Sequence, residues 1–243
     1  MNNQYTKPLS NKDWAKQANI EQLNFVVNSI RNKNVQVWAE ELCTIVPQGA
    51  KCLEIGCGTG ISSLWLANNG RDVTALDYTK ESIELVKTAG KKLGIEIDTI
   101  QYDATEMLPF EENEFDYIFQ CGLLEHFEML KQIELLKLWA RCGKNMVSII
   151  PNASSLAYRI GKNIMENNNT WKWGLEIPKY SMRYEFEQAG FFNIKEYSIG
   201  SKWALRFLPD DHYLKSTISK LIQEGFDLDE MMQGYLLVTI GEC

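Results

Sequence analysis

The sequence contains little that could bind a metal. Only two of its 243 residues are histidine, and its cysteines lie far apart, with no C-x-x-C pair. A structural zinc or iron–sulfur site needs several such ligands at short spacing. We therefore expect no metal, and we expect reduced thiols, packed as small apolar side chains, at the six cysteines: Cys43, Cys52, Cys57, Cys121, Cys142 and Cys243.

Long apolar runs and an excess of basic residues are also missing. The longest apolar runs, such as YLLVTI, are far shorter than the roughly 20 residues that cross a bilayer. The N-terminal segment lacks the basic and apolar regions of a secretory signal. The 25 Lys and Arg residues are outnumbered by 32 Asp and Glu residues, and the net charge of −7 disfavours nucleic acid. These absences predict a cytoplasmic protein without membrane insertion or a nucleic-acid partner.

Strand-like and helix-like segments alternate after residue 47. The candidate strands KCLEIG, DVTALD, IEIDTIQYD, FDYIFQ and NMVSIIP are separated by helical segments at 61–69, 80–93 and 131–142. A helix at 182–189 and two further strand candidates, NIKEYSIG and GYLLVTIG, follow. Strands alternating with helices of this length indicate right-handed βαβ units, and hence an α/β protein with a mostly parallel sheet.

Three segments outside this alternation predict a cap. Residues 1–47 place apolar residues at helical spacing, which predicts two or three helices. Residues 152–181 are polar and irregular, and residues 201–233 form a second insertion. Long ordered insertions in compact domains often serve as lids or binding loops. We therefore divide the chain into a helical cap segment, 1–47, and a ligand-binding domain, 48–243, with insertions at about 152–181 and 201–233.

The stretch LEIGCGTG, residues 53–60, leads from an apolar strand through three glycines into a helix. At such a turn glycine adopts backbone angles closed to other residues and lets a ligand approach the main chain. The pattern alone fits several nucleotide-type ligands, dinucleotides included. Two details disfavour a dinucleotide: Ile61 stands where G-x-G-x-x-G needs its third glycine, and Glu54 would repel a pyrophosphate. A ligand carrying an ammonium and a sulfonium would instead be attracted by Glu54.

Here the sequence resembles the class I S-adenosylmethionine-dependent methyltransferases of the type 11 and type 25 kind. LEIGCGTG matches their first motif, hExGxGxG, at every diagnostic position, and the resemblance is strong over roughly residues 50–151. It implies a Rossmann-like three-layer αβα sandwich with seven strands in the order 3-2-1-4-5-7-6. It also implies S-adenosylmethionine as the cofactor and S-adenosylhomocysteine as the product.

The same resemblance implies a set of cofactor-binding residues. Asp77, at the end of the second strand, would accept hydrogen bonds from both ribose hydroxyls, since one carboxylate has two oxygens. The alternative for Asp77 is a cap on the helix that begins near residue 80. Asp103, at the end of the third strand, would lie near the adenine amino group. The expected set is Glu54, Gly56, Cys57, Gly58, Gly60, Asp77, Tyr78, Asp103, Ala104 and Cys121.

His126 is the candidate general base, because it follows the fourth strand, where acceptor and cofactor would meet. The alternative is that it orients a loop or packs against the sheet. The surrounding CGLLEHF also resembles the EHF stretch of cyclopropane fatty-acid synthases and the LEH stretch of ubiquinone-pathway O-methyltransferases. In the latter, a further glutamate three residues before the Glu-His pair joins a metal site; here Gly122 holds that position, which argues against a metal. His212 is a weaker candidate.

Aromatic residues of the cap are the candidate acceptor site. Such rings can enclose a small apolar or aromatic acceptor and stack against a sulfonium, although they could equally form the core of the cap. Arg159, Lys162 and Arg183 could meet an acidic acceptor. We expect a small-molecule acceptor methylated on O, N or S; the alternatives are a protein or lipid acceptor, or a regulator that binds the cofactor without catalysis. The candidate residues are Tyr5, Trp14, Tyr158, Trp171, Trp173 and Trp203.

Overall fold

The computed structural model describes residues 7–243, so the candidate Tyr5 lies outside the described residues. A seven-stranded sheet occupies its centre. The strands are β1 (Lys51–Ile55), β2 (Asp72–Asp77), β3 (Asp98–Gln101), β4 (Phe115–Cys121), β5 (Gly143–Pro151), β6 (Phe192–Ile199) and β7 (Leu236–Glu242).

The strand order is β3-β2-β1-β4-β5-β7-β6. Neighbouring strands from β3 to β5 pair in parallel, and β7 runs antiparallel between β5 and β6. This confirms the expected Rossmann-like sheet and its order. Because the order reverses between β1 and β4, a crevice for a ligand is expected at the carboxyl ends of these two strands.

The helices are α1 (Asn11–Ala15), α2 (Ile20–Arg31), α3 (Val37–Ile45), α4 (Ile61–Asn68), α5 (Lys80–Leu93), α6 (Met129–Ala140), α7 (Leu156–Asn167), α8 (Arg183–Ala189), α9 (Ser201–Ala204) and α10 (Tyr213–Gln223). Short 3-10 turns occupy Leu124–His126 and Leu205–Phe207. The bounds of α5 match the predicted ones. Its first turn is capped by the Thr79 hydroxyl, and Gly94 ends it in the left-handed conformation.

β3 is shorter than the candidate strand at residues 95–103. The first of those residues close the preceding helix, since the Ile95 N–H donates to the Gly90 carbonyl at 3.0 Å. At the other end the Tyr102 N–H still donates to the Asp77 carbonyl at 2.9 Å, and the chain then turns at Asp103, whose carboxylate accepts the N–H and the hydroxyl of Thr105. Hydrogen bonds within the helix end and within this turn therefore limit β3 to its central residues.

Helices cover both faces of the sheet. On one face α6 and α8 bury Trp139 and Phe186 against the strands. On the other face α2 and α3 pack beside α4 and α5, with Val26 and Leu42 fully buried. The apolar faces of α2 and α3 are thus buried in this layer, and the division of the chain into a cap segment and a binding domain stays a prediction. The short helix α1 does reach the site side, where Trp14 contacts His126.

The two insertions form a small apolar cluster of their own. Tyr158 of α7, Ala204 of α9 and Leu208 are buried together. The prediction of irregular structure across 152–181 is wrong for α7, whose buried residues recur at helical spacing. Gly161 allows α7 to approach the 3-10 turn at 205–207, because a Cβ there would lie 2.5 Å from the Phe207 carbonyl oxygen.

Candidate functional site

The turn after β1 is built from three glycines in the left-handed region, with φ of 69° at Gly56, 51° at Gly58 and 68° at Gly60. Other residues rarely adopt these angles. A Cβ on Gly60 would overlap the Val86 side chain, and one on Gly56 would lie 2.9 Å from a Leu123 methyl carbon. A Cβ on Gly58 would have no neighbour within 4 Å. The turn is thus tightly packed at both ends and open in the middle.

Asp77, at the carboxyl end of β2, holds this turn in place. Its Oδ2 accepts the Gly58 N–H at 2.9 Å, and its Oδ1 accepts the N–H and the hydroxyl of Thr79, each at 2.8 Å. The cap of α5 is Thr79, so the alternative role of Asp77 as that cap does not hold. Each carboxylate oxygen has two lone pairs, so Oδ2 can accept one more hydrogen bond.

Tyr78 and Asp103 lie next to Asp77 at the ends of β2 and β3. Burial, followed by the charges of Asp77 and Asp103, raises the pKa of Tyr78 to about 12. Asp103 is exposed, and its Oδ1 accepts the N–H and the hydroxyl of Thr105. The Ala104 carbonyl accepts the indole N–H of Trp139 at 2.8 Å, which fixes this loop against α6. The structure therefore brings these predicted residues together.

Glu54 lies inside β1 and is 3% exposed. Its Oε2 accepts the Ser63 N–H at 3.1 Å and the Ser63 hydroxyl, which joins the strand to α4. Burial raises the pKa of Glu54 to about 8, although hydrogen bonds from Ser63 act in the opposite direction. The Glu54 carboxyl therefore lies in the strand that leads into the glycine turn, and it also supports the first turn of α4.

The chain leaving β4 connects this region to a second group of side chains. Cys121 accepts a weak hydrogen bond from Ser62 at 4.0 Å. Burial, and then the carboxyls of Glu54 and Glu125, raise the pKa of the Cys121 thiol. The buried Gln120 shapes the turn that follows, because its Oε1 accepts the Leu123 N–H at 2.8 Å. Cys121 is therefore the link between the glycine turn and Glu125.

Glu125 is the centre of that second group. It is 2% exposed, and its Oε2 has no hydrogen-bond partner in the part of the chain that the structure describes. Glu176 of the first insertion accepts the hydroxyl hydrogen of the buried Tyr158. Burial raises the pKa of both carboxyls, and the neighbouring Glu125 raises that of Glu176 further. Burial, followed by the charges of Glu176 and Glu125, likewise raises the pKa of Tyr235, which lies just before β7.

His126 faces the first insertion. Its Nδ1 lies 2.5 Å from the Leu175 carbonyl oxygen, and its ring packs edge-on against Trp14 with centroids 5.0 Å apart. Burial lowers the pKa of His126, while hydrogen bonds to backbone groups at Leu175 and Gly122 oppose this shift. The ring is therefore neutral near pH 7 and is held mainly by the backbone.

The other aromatic candidates lie at different distances from this group. Trp171 is buried and donates its indole N–H to the Gly174 carbonyl at 3.0 Å, and Trp173 packs edge-on against it. Trp203 packs against Trp38 of α3, with the Arg206 guanidinium 3.8 Å from its ring centroid. Nearer to this group, Trp14 packs against the His126 ring and Tyr158 donates its hydroxyl hydrogen to Glu176.

The polar candidates of the insertions do not converge on the site. Arg159 is exposed, and Arg183 donates to the Ile194 carbonyl at 2.9 Å on the protein surface. Lys162 is buried but forms an ion pair with Glu166. His212 is the N-cap of α10, where its Nδ1 accepts the Leu214 N–H. These contacts give His212 and the two arginines local structural roles.

Sequence reasoning missed Glu176 and Tyr235. Glu176 lies in the sequence LEIP, in an insertion without a recognisable pattern, and Tyr235 immediately precedes a strand. Neither position carries a motif. The first insertion contacts the loop after β4, where the Ile177 N–H donates to the Glu125 carbonyl at 2.8 Å. This tertiary contact brings Glu176 near Glu125.

Two structural searches of the chain give negative results. Within residues 7–243 no three His, Cys, Asp or Glu side chains are grouped so that they could hold a metal ion. No helix in that range is long and apolar enough to span a bilayer.

Comparison with known proteins identifies the central part of the chain. Residues 53–147 match a family described as a methyltransferase domain. The fold is similar to that of an S-adenosylmethionine-dependent methyltransferase from Thermotoga maritima, with a TM-score of 0.59, 15% identity and 91% of each chain covered. A methyltransferase structure from Bacillus halodurans gives a TM-score of 0.54 at 16% identity, covering 84% of this chain and 97% of the other. At these identities the likeness establishes the fold.

The curated relatives match in a shorter region. A ubiquinone biosynthesis O-methyltransferase of Rickettsia felis is 28% identical over 134 residues, which are 54% of this chain and 52% of the relative. The Bordetella avium protein of the same name is 29% identical over 89 residues, 37% of this chain and 36% of the relative. The chain therefore spans about half, or less, of these relatives' lengths.

Together these findings support a class I methyltransferase domain that uses S-adenosylmethionine as its cofactor. The residues present fit that cofactor on structural grounds. The open middle of the glycine turn at Gly58 leaves room for a ligand against the main chain. Asp77 retains an acceptor position, and the acidic surroundings of Glu54 suit a cationic ligand.

Proposed function

We propose that this chain, through its methyltransferase domain, transfers a methyl group from S-adenosylmethionine to an O, N or S atom of a small-molecule acceptor. The observation that carries the proposal is the position of Cys121 at the carboxyl end of β4. Its sulfur contacts Ser62, in the helix that follows the glycine turn, and the same loop continues from Cys121 to the buried Glu125. A cofactor at the glycine turn and an acceptor beside Glu125 would meet at the end of β4.

In this proposal the cofactor residues are those that the resemblance implies. Gly56, Gly58 and Gly60 approach the cofactor with their main chain, and Asp77 binds the ribose through the one lone pair that remains on its Oδ2. Glu54 lies near the methionine end, with Cys57 and Cys121 as apolar neighbours. Tyr78, Asp103 and Ala104 lie near the adenine. Their mutual proximity at the ends of β1, β2 and β3 supports these roles.

The bound cofactor would supply a methyl group already activated by its sulfonium. The chain must then orient the acceptor, exclude water and accept a proton where the acceptor carries one. The first insertion supports water exclusion, because its backbone hydrogen-bonds to Glu125 and His126 across the end of β4. Glu125 and His126 are titratable groups in the loop that follows β4.

A small acceptor is favoured over a protein or lipid because this part of the site is covered. Glu125, which is hydrogen-bonded to the backbone of the first insertion, and Tyr158 of that insertion are both almost completely buried. The O-methyltransferase names of the curated relatives also support a small acceptor. A metal-assisted reaction is disfavoured at Gly122, whose φ of 80° suits glycine, and whose Cβ would lie 3.4 Å from a Glu125 oxygen. A cytoplasmic location and the absence of a nucleic-acid partner stay predictions.

Two measurements test this function. Calorimetric titration with S-adenosylmethionine should give a micromolar Kd, as is usual for such cofactors. Incubation with cofactor carrying a labelled methyl group should then label a member of a small-molecule panel. Absence of cofactor binding would reject the proposal. Cofactor binding with label entering only protein or lipid fractions would favour the macromolecular alternative, and binding without any transfer would favour a regulator.

A further inference from the structure

The carboxyl pair beside the end of β4 has no cation to balance it. Glu125 is 2% exposed with an unpaired Oε2, and Glu176 is partly buried beside it. Neither carboxyl takes part in an ion pair within residues 7–243. A buried carboxyl without a partner either keeps its proton or requires a positively charged neighbour.

The buried lysine of the first insertion is engaged elsewhere. Lys162 of α7 forms an ion pair with Glu166 one turn further along the same helix. Its ammonium also lies 4.4 Å from the ring centroid of Trp171. Its charge is therefore already compensated by a carboxylate and an aromatic face. The protein thus offers an acidic cluster in which a positive charge is missing.

Aromatic rings surround the same cluster. The centroids of Tyr158, Phe207 and Tyr235 lie 4.8 to 5.2 Å from one another, and the Tyr158 hydroxyl binds Glu176. Aromatic faces attract cations, most strongly where water is excluded. Carboxyls combined with rings recognise an ammonium group, whereas an alcohol would leave the charges unbalanced and a carboxylic acid would add a further negative group.

We propose that the acceptor is a small organic amine whose ammonium group binds between Glu125 and Glu176, against the rings of Tyr158 and Tyr235. This inference rests on the proposed methyl-transfer function and names the acceptor class for it. The carboxyls of the pair release a proton when the ammonium supplies the balancing charge. The site therefore selects its acceptor by charge before the reaction begins.

The same carboxyl can perform the proton transfer that amine methylation requires. An ammonium has no free electron pair, so it must lose a proton before it attacks the methyl carbon. The Glu125 carboxylate accepts that proton and becomes a neutral carboxylic acid, the form that burial favours for this side chain. The nitrogen then forms the N–C bond as the C–S bond breaks, and the sulfur keeps the electron pair as a neutral thioether.

The first experiment compares acceptors that differ only in the reacting group. Three skeletons (aromatic, cyclic and linear) are each supplied as the primary amine, the alcohol and the carboxylic acid. Binding is measured by calorimetry on the full chain saturated with S-adenosylhomocysteine, and turnover is measured with labelled S-adenosylmethionine. We expect at least one amine to bind at least tenfold more tightly than its alcohol and acid. Binding of no amine, or preferred binding of an alcohol or acid, would overturn the inference.

The second experiment removes one charge at a time. Glu125→Gln and Glu176→Gln keep the side-chain shape, and each should weaken binding of the best amine at least about tenfold, as expected for a lost charge-assisted contact. Affinity for S-adenosylmethionine should stay unchanged, which reports a folded protein. The matched control is Glu134→Gln, an exposed glutamate on α6. Unchanged amine affinity in both variants would reject the site.

These readouts separate the two proposals. Amine binding that depends on Glu125, without methyl transfer to any amine, would reject the methyltransferase function and keep the amine site. Methyl transfer to an alcohol or acid, with the amines inert, would keep the function and reject the amine site.

Discussion

The Nδ1 atom of His126 and the carbonyl oxygen of Leu175 lie 2.5 Å apart, so the side chain nominated as a general base also ties the first insertion to the end of β4. The neighbouring Ile177 N–H donates to the Glu125 carbonyl, which adds a second tie. With the proton on Nδ1, the imidazole donates to Leu175. His126 therefore helps to hold the first insertion against the end of β4.

The first prediction concerns His126. We expect His126→Ala to lower the free energy of unfolding by about 1 to 3 kcal/mol, because the Leu175 carbonyl loses its partner. His126→Gln keeps an amide donor, so it should retain kcat within about tenfold. Chemical denaturation and a pH–rate profile check these values. A loss in His126→Gln of about 10²-fold or more, together with loss of the acid limb of the profile, would instead assign His126 as the base.

The second prediction concerns Asp77. We expect Asp77→Ala to weaken S-adenosylmethionine binding at least about tenfold, since it removes a charged acceptor and releases the Gly58 N–H. Calorimetric titration measures the effect. Asp72→Ala is the matched control, because Asp72 begins the same strand at its opposite end and is exposed. Equal affinities in the two variants would remove Asp77 from the site.

The third prediction separates packing from ligand space in the glycine turn. Gly60→Ala should strongly destabilise the protein, because the new methyl group overlaps Val86 and the backbone angle is unfavourable. Gly58→Ala meets no protein atom, so it should lose only about 1 to 2 kcal/mol of stability from its backbone angle. Its main effect should be weaker cofactor binding. Melting curves and calorimetric titration of both variants measure these effects. Normal cofactor binding by Gly58→Ala would contradict the prediction.

The fourth prediction is a pH dependence of stability that comes from Glu54. Its folded-state pKa of about 8 lies above the ordinary value of 4.5, so the folded protein holds a proton that the unfolded chain loses. Stability from this group is complete below about pH 4.5 and is lost as the pH rises toward 8. Glu125 and Glu176 shift in the same direction. Denaturation between pH 5 and 9 should show a smaller decline in Glu54→Gln than in the wild type; equal slopes would contradict the assignment.

The fifth prediction concerns the contact between the two insertions. Gly161→Ala would drive a methyl group into the Phe207 backbone, 2.5 Å from its carbonyl oxygen. We expect a stability loss of about 1 to 3 kcal/mol, as for other overpacked sites, and faster proteolysis within the insertions. Cofactor affinity should change little, because the glycine turn lies elsewhere. Asn163→Ala is the matched comparison, since Asn163 is exposed on the same helix. Equal protease sensitivity in the two variants would argue against this contact.

Local rules account for the parts of the molecule that sequence reasoning predicted. The glycines of LEIGCGTG adopt positive φ as that pattern indicates, and α5 starts and ends at its capping residues, Thr79 and Gly94. The parallel sheet follows from strands alternating with helices. Its register brings Glu54, Asp77 and Asp103 to neighbouring strand ends because these strands all run in the same direction. The candidate cofactor site is therefore readable from short segments.

The acceptor side depends on contacts between distant segments. Glu125 belongs to a motif, but its proposed role depends on the neighbouring Glu176 and Tyr235, which belong to no sequence motif. The helical structure of α7 and its packing on Phe207 were likewise hidden within a polar segment. Burial shifts the pKa of a carboxyl through the surroundings that several elements build together. The sequence by itself determines the backbone conformation of the glycine turn, because glycine favours positive φ. Only tertiary packing brings the unpaired Glu125 carboxyl and its aromatic neighbours together, because they come from segments far apart in the sequence.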